Sequence, residues 1–508
     1  MKHSTRILSP SLLATLCAIA LAGCTVGPDF HPPAVPAHGN YSAQPLTAPP
    51  GVAFEYGGAI AADWYHLLGS PQVNTLVREA LAHNPSLDAA RASVAEARAE
   101  LRAVNGGRWP QLTGRALANR AHLNPAALGF PGGGRANNDS FAGLLQLSYN
   151  LDVFGRLQRH LEAQGAAVAH ERAAADAAYI NLVNQVVATA LDAATAQSML
   201  DETQSLVDAQ QRQLRIIKLQ EQVGTVGRAQ SLTAQAQIES TQATLPALRQ
   251  RLAAAQASLA ALVGTTPAQF QAPHLTLANF HMPANLPVSL PSQLIVQRPD
   301  ILAAQALLHA ASAKVGLAIA ARLPSFSLSA DYGALSDRGV DFFNASNALW
   351  VLGGNITAPL FDGGTLSAKE DAAKAALKQA EAQYRLTVLN AFAEVATALH
   401  ALDNDSASLA AHDRALKTAR EALHLSDLEF RTGTVDELQV LTTQQQYRSE
   451  LLKRIRAEQR RDADVATLIH ALGGGWWNRP PTHATTGSAP SSHGAAAAVR
   501  PALRATHG

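Results

Sequence analysis

Two halves of this chain carry the same landmarks in the same order, and this duplication limits the possible folds more than any other feature of the sequence. Asn84-Pro85-Ser86-Leu87 is matched by Arg298-Pro299-Asp300-Ile301, and Trp109-Pro110-Gln111-Leu112 by Leu323-Pro324-Ser325-Phe326 at the same offset. Further along, Val153-Phe154-Gly155-Arg156 matches Phe361-Asp362-Gly363-Gly364. Gly224-Thr225-Val226 matches Gly433-Thr434-Val435, and Leu262-Val263-Gly264 matches Ala471-Leu472-Gly473. Each half reads as short helix, helix, two strands, very long helix, turn and long return helix.

The long helices are marked by a period of seven. Val388, Val395, Leu402, Leu409, Leu416, Leu423 and Phe430 recur every seventh residue of a predicted helix from Thr365 to Arg431. In the first half Tyr179, Val186, Ala193, Leu200, Val207 and Leu214 occupy the equivalent positions. A seven-residue apolar repeat makes helices supercoil about one another. At 1.5 Å per residue each helix is roughly 100 Å long, a rod that no compact globule needs, so the expectation is an elongated antiparallel coiled-coil assembly. Alanines beside the seam, such as Ala173 to Ala175 and Ala372, Ala373, Ala375 and Ala376, let neighbouring helices approach closely. Pro246 falls inside the first return helix and is expected to bend or interrupt it, because proline has no N–H to donate.

Between the helices the apolar period changes to two, the signature of strands. Phe326, Leu328, Ala330 and Tyr332 alternate with Ser325, Ser327, Ser329 and Asp331, and Phe141, Gly143, Leu145, Leu147 and Tyr149 form a comparable series. Leu112 to Asn119, and Leu349 to Thr357 with Trp350, Leu352 and Ile356 on one side, complete four candidate strands joined in pairs by loops at Gly129 to Asp139 and Ser336 to Ser346. Their length suits a bilayer, which takes about 9–11 residues of tilted strand. No apolar run after residue 24 reaches the roughly 20 residues that a spanning helix needs, so strands are the expected membrane element. Four strands cannot close a barrel, and an open edge in hydrocarbon leaves backbone groups unpaired at several kcal/mol each. Other copies must complete the sheet; two would give eight strands and three would give twelve.

The N-terminus points to the same compartment. Lys2 and Arg6 precede an apolar run from Leu12 to Ala22, followed by Gly23 and Cys24, which reads as a secretory signal with a lipoprotein cleavage box. Cleavage ahead of Cys24 leaves that residue to be acylated. The only other cysteine, Cys17, lies in the removed segment, so the mature chain has no intramolecular disulfide.

Together these landmarks resemble the TolC-type outer-membrane factors, in particular the lipoprotein branch often called NodT-type that serves RND drug and metal pumps. The resemblance rests on Cys24-Thr25-Val26-Gly27-Pro28-Asp29-Phe30, Gln297-Arg298-Pro299-Asp300-Ile301, Leu323-Pro324-Ser325, the Phe-Asp-Gly-Gly at 361 to 364 and the paired helix-tip turns, and it runs from the signal to about Gly475. It implies an α+β membrane protein that forms a homotrimer. Four transmembrane strands per protomer would make a twelve-stranded barrel in the outer membrane, continued by a coiled-coil α-barrel across the periplasm and girdled by a mixed belt from Asn279 to Ser289 and the chain ends. The domain reading is a signal peptide at 1–23, a lipidated extended segment at 24–69, a first efflux repeat at 70–275, a second at 276–475 and a disordered tail at 476–508.

The implied function is the exit duct of a tripartite efflux pump, with an outer-membrane anchor, a periplasmic adaptor (membrane fusion protein) and an inner-membrane RND transporter as partners. Val223, Gly224 and Thr225, and Thr432, Gly433 and Thr434, sit where the long helices reverse, and the resemblance makes them adaptor-contact tips. Leu438, Thr442 and Gln445 lie in the segment that narrows the periplasmic end in relatives, where an acidic residue often stands in place of Thr442 and a basic one near Gln445. A charge-based latch is therefore not expected at these positions. No cofactor is expected beyond the covalent lipid on Cys24.

Catalysis and nucleic-acid binding find no support. A formal net charge of +1 with 16% charged residues gives no electrostatic case for nucleic acid. No Gly-x-Ser-x-Gly, phosphate-binding loop or zinc-type cysteine pair appears, and the 18 histidines never fall three or four apart, as one metal on a helix requires. The remaining alternatives are a type I secretion outlet and a coiled-coil lipoprotein scaffold or adaptor that forms no pore.

Overall fold

A computed structural model describes residues 25–33, 40–41, 48–49, 51–123 and 136–479. In chain order the elements are β1 (Ala53–Tyr56), α1 (Pro71–His83), α2 (Pro85–Gly106), β2 (Gln111–Leu123), β3 (Ala136–Leu151), α3 (Arg156–Gln222), α4 (Arg228–Gln242), α5 (Leu245–Leu262) and β4 (Asn285–Val288). The second half continues with α6 (Pro291–Gln297), α7 (Pro299–Ala320), β5 (Ser325–Ser336), β6 (Ala348–Thr357), α8 (Thr365–Arg431) and α9 (Glu437–Ala471).

Local chemistry explains where these helices begin. Each of α1, α2, α6 and α7 starts with a proline, whose missing N–H is lost without cost in a first turn. The long helices α3 and α8 follow Gly155 and Gly364, both in the left-handed conformation. A carboxylate then caps each first turn: Asp152 accepts from the Leu157 and Gln158 amides at 2.9 Å, and Asp362 from the Leu366 amide at 2.7 Å.

Both long helices contain 67 residues, and the heptad seam is buried along their middle. Val186, Val207, Val388, Val395, Leu402, Leu409 and Leu416 are buried, while Leu200, Leu214, Leu423 and Phe430 are half-buried. The return limbs differ. Limb α9 runs unbroken, whereas α4 stops at Gln242 and α5 begins at Leu245, so Pro246 interrupts the helix as its lost donor requires. Thr244 turns its hydroxyl back to the Thr241 carbonyl at 2.7 Å, and Arg448 of α9 donates to the Thr241 and Thr244 hydroxyls at 3.3 and 3.1 Å.

The densest core lies midway along the rods, where α1, α3, α8 and α9 meet β1 and β4 around Trp64, Leu68, Val73, Leu191, Leu286, Val395, Leu399 and Val465. Here β1 pairs in parallel with β4, Ala53 opposite Asn285. Each repeat is closed at this level by the residue before a proline. Asn84 donates to the Leu262 carbonyl at 2.7 Å, and Arg298 to the Ala471 carbonyl at 2.8 Å. These carbonyls belong to return-helix ends and have no partner within the helix.

Several sequence expectations need correction. Residues 136–139 belong to β3, so the first interstrand loop is shorter than Gly129 to Asp139. The 24–69 segment is not uniformly extended; it contains β1 and a 3-10 turn at Trp64–Leu68 that buries Trp64, Tyr65 and Leu68. The tail from 476 is ordered through residue 479: Trp476 donates its indole N–H to the Gln297 carbonyl at 2.6 Å, Asn478 bonds the Ile60 carbonyl at 2.6 Å, and Arg479 pairs with Asp176. Residues 480–508 lie outside the described residues. Among the described residues one helix, α7, is long and apolar enough to cross a membrane. It packs instead against α3 and α8 and buries Ile301, Leu308, Ala313 and Val315, the behaviour of a core helix.

Candidate functional site

Strands β2, β3, β5 and β6 form one antiparallel sheet in that order. Register sorts their side chains by polarity. Leu112, Leu147, Ala330 and Leu352 stand in one cross-strand row, and Leu145, Tyr332 and Trp350 in the next row on the same face. The opposite face carries Gln111, Ser148, Ser329 and Gly353 in one row and Thr113, Gln146 and Asp331, with Val351 at the edge, in another. Toward the loops this polar face gives way to Leu117, Ala142 and Leu335.

A soluble sheet of this kind lays its apolar face on a core. This one does not: Trp350 is 76% exposed, Leu352 75% and Leu112 67%. Burying one such side chain is worth about 1.5–3 kcal/mol, so a contiguous bare face of this type marks an interaction surface. The strands hold 10 to 16 residues, enough to cross hydrocarbon. Edges β2 and β6 each lack a neighbour on one side among the described residues.

Cys24 lies outside the described residues, but its successors are fixed to the foot of this sheet. The Val26 amide donates to the Phe154 carbonyl at 3.3 Å. Buried Arg159 of α3 donates to the Val26 and Gly27 carbonyls at 2.9 and 3.1 Å and to Asp29 at 2.8 Å, while its remaining nitrogen holds Glu162 at 2.8 Å. Glu162 also meets His309, on which the Phe30 ring stacks at 4.3 Å. Gly27 has φ +94° and abuts the Gly316 backbone, so both its conformation and its lack of a side chain are needed here. The Val-Gly-Pro-Asp-Phe run thus docks the segment that follows Cys24 onto α3 and α7.

At the opposite end the helices reverse at two equivalent turns. Gly224 and Gly433 have φ +78° and +77°, with open space where a side chain would stand. Thr225 donates its amide to the Gln220 carbonyl at 2.9 Å, and Thr434 to that of Glu429 at 2.8 Å, the six-to-one bond of a glycine-terminated helix. Val223 is 74% exposed, and Thr225, Thr432 and Thr434 are exposed as well. These turns are structurally complete by themselves and present their side chains outward.

Leu438, Thr442 and Gln445 share one exposed face of α9, with buried Leu441 at its border and buried Val440 opposite. Thr442 spends its hydroxyl on the Leu438 carbonyl at 2.7 Å, and Gln445 bonds Gln237 of α4 at 2.9 Å. The three carry no charge. A titratable group stands beside them nonetheless: Glu437 is only 4% exposed, its Oε1 has no hydrogen-bond partner among the described residues, and burial pushes its carboxyl up to about 7.

Sequence reading missed Glu437, the Arg159 clamp and the Arg448 contact. An acidic residue after Asp436 reads as an ordinary first-turn residue, and nothing local reveals that the helix buries it. Arg159 is separated from Val26, Gly27 and Asp29 by more than a hundred residues of chain. The quoted run after Cys24 was the available signal, without its receptor.

Comparison with known proteins bears on both ends of the molecule. The family model described as outer membrane efflux protein matches residues 76–265 and 290–474. Cation efflux system protein CusC of Escherichia coli is 30% identical over 470 residues, covering 92% of this chain and 100% of that protein. Outer membrane protein OprJ of Pseudomonas aeruginosa is 30% identical, covering 91% and 95%. Among solved structures, the outer-membrane channel OprN superposes with a TM-score of 0.82 at 27% identity, covering 89% of this chain and 100% of that one.

Proposed function

Because the chain belongs to the outer membrane efflux protein family, and is the outer-membrane exit duct of a tripartite efflux pump, we propose that it works as a passive homotrimeric conduit, lipid-anchored through Cys24. The observation that carries this reading is the four-stranded sheet with a bare apolar face, a polar face and two open edges. Joining β6 of one protomer to β2 of the next satisfies the edges, turns the apolar face to lipid and leaves the polar face around water. Two copies would make an eight-stranded barrel, whose interior side chains fill. Three copies make twelve strands and leave a lumen.

Below the sheet the long hairpins extend the lumen as a coiled-coil barrel through the periplasm. The tips at Val223, Gly224 and Thr225 and at Thr432, Gly433 and Thr434 meet a periplasmic adaptor, and an inner-membrane RND transporter supplies the energy. Leu438, Thr442 and Gln445 line the narrow end, and adaptor binding spreads it. The protein makes and breaks no bonds; its functional positions are anchor, tips and constriction. Purified full-length protein reconstituted into liposomes tests the reading. The expected result is a particle of three protomers that lets small sugars in and swells the vesicles, and a monomer that leaves them sealed contradicts it. Replacing Leu438 and Thr442 with smaller residues is expected to raise basal conductance; an unchanged closed-channel signal places the constriction elsewhere.

A further inference from the structure

We propose that Glu437 gates the narrow end of the duct by its protonation: neutral, it lets the start of α9 pack closed, and ionised it drives that packing apart. The inference rests on the duct reading above and adds a regulator to it. Glu437 lies in the first turn of α9, between the capping residue Asp436 and Leu438 of the constriction. It is buried while its neighbours Asp436, Leu438 and Gln439 are exposed, and its Oε1 has no hydrogen-bond partner among the described residues. A carboxyl buried in this way, with no cation in ion-pair reach among the described residues, loses its proton at a cost in desolvation.

The surrounding charges do not relieve it. On its own hairpin Asp436 caps the Gln439 amide, Arg431 is paired with Asp427 at 2.6 Å, and Glu429 adds a like charge. On the neighbouring hairpin the charged residues nearest the turn in sequence are Lys218, Glu221 and Arg228. Among the described residues none forms a hydrogen bond or ion pair with Glu437. The N-terminus of α9 favours negative charge and pulls the other way, but burial prevails and holds the carboxyl near 7 against an ordinary 4.5. The equivalent first-turn position of the other hairpin is Arg228, exposed and already charged, so the device belongs to the hairpin that carries the constriction.

The sign follows from linkage. The closed form holds the raised value, so it is fully favoured below 4.5 and is lost as pH rises toward 7. Across that window the closed-to-open ratio falls about tenfold per pH unit for each protomer. Single-channel recording of the full-length oligomer between pH 5 and 8 tests this. Wild type is expected to open more as pH rises, while Glu437→Gln stays at the low-pH level throughout. Glu437→Asp keeps a rising curve. Asp464→Asn, which removes a second carboxyl lifted to about 7 beside Asp405 away from the tip, leaves the response intact. A flat wild-type curve, a pH-responsive Glu437→Gln or a flat Glu437→Asp overturns the proposal. So does a Glu437→Gln protein that fails to assemble, because the neutral side chain is the form that packs. Absence of conductance from every variant at every pH sinks the duct reading itself.

Discussion

The two repeats build the same hairpin and finish it differently. Their descending helices are equal at 67 residues and their tips share one turn geometry. The first return limb is cut between Gln242 and Leu245, and the second runs 35 residues without a break. The repeat closures differ too: Asn84 uses one neutral amide, while Arg298 bonds Asp300, Glu394 and the Ala471 carbonyl together. A duplicated unit has kept its skeleton and diverged where its copies face different neighbours. The bent limb is held at its break by Arg448, and the straight limb carries the buried carboxyl of Glu437.

The sharpest way to break this comparison is to give the straight limb the proline of the bent one. Ile455 stands where Pro246 stands in the first repeat and is buried. Ile455→Pro should cost more than about 3 kcal/mol through the lost helix bond and ring clash alone, read as loss of heat-resistant oligomer. A variant as stable as wild type would show that α9 tolerates the same bend. Next in size are the closures. Arg298→Ala leaves two carboxylates and a helix-end carbonyl unpaired and should cost about 3 kcal/mol, at the low end for a buried pair because Asp300 and Glu394 are partly exposed. Asn84→Ala should cost about 1–2 kcal/mol. Equal losses in denaturant unfolding would mean that the extra charges add nothing.

A smaller effect runs in the opposite direction between the halves. Gly264 and Gly473 follow the two return limbs with φ +77° and +96°, so alanine at either position meets about 1–2 kcal/mol of left-handed strain. At Gly264 the added carbon also collides with the His83 carbonyl, whereas at Gly473 it would sit 3.2 Å from the Gln297 carbonyl. Gly264→Ala should therefore be the more damaging by melting temperature. The smallest contrast is at the tips. Gly224→Ala and Gly433→Ala, in open space, should each cost about 1 kcal/mol and by the same amount; unequal losses would show that one turn carries a contact the other lacks.

Much of this architecture was legible in the chain because its signals are periodic. A seven-residue seam, a two-residue alternation and landmarks repeated in register place the helices, strands and tips, and α8 spans Thr365–Arg431 as the pattern implied. Pro246 announced its own break. What stayed hidden depends on contacts between distant segments. The alternation of Phe326, Leu328 and Tyr332 does not say whether their face meets a core or stands bare, and no local pattern tells that Glu437 is buried while Leu438 is exposed. The segment after Cys24 shows the same limit. Val26, Gly27 and Asp29 are visible as a motif, but Arg159 becomes their receptor only once α3 is folded.

Whether acyl chains touch the bare side of the sheet can be read from Trp350, as the difference in fluorescence between wild-type protein and Trp350→Phe in vesicles carrying brominated lipids. If several protomers join their edges and enter the bilayer, bromine on the chains quenches the Trp350 signal and aqueous iodide does not. A Trp350 that iodide quenches freely and brominated lipid leaves untouched would contradict the account at its root.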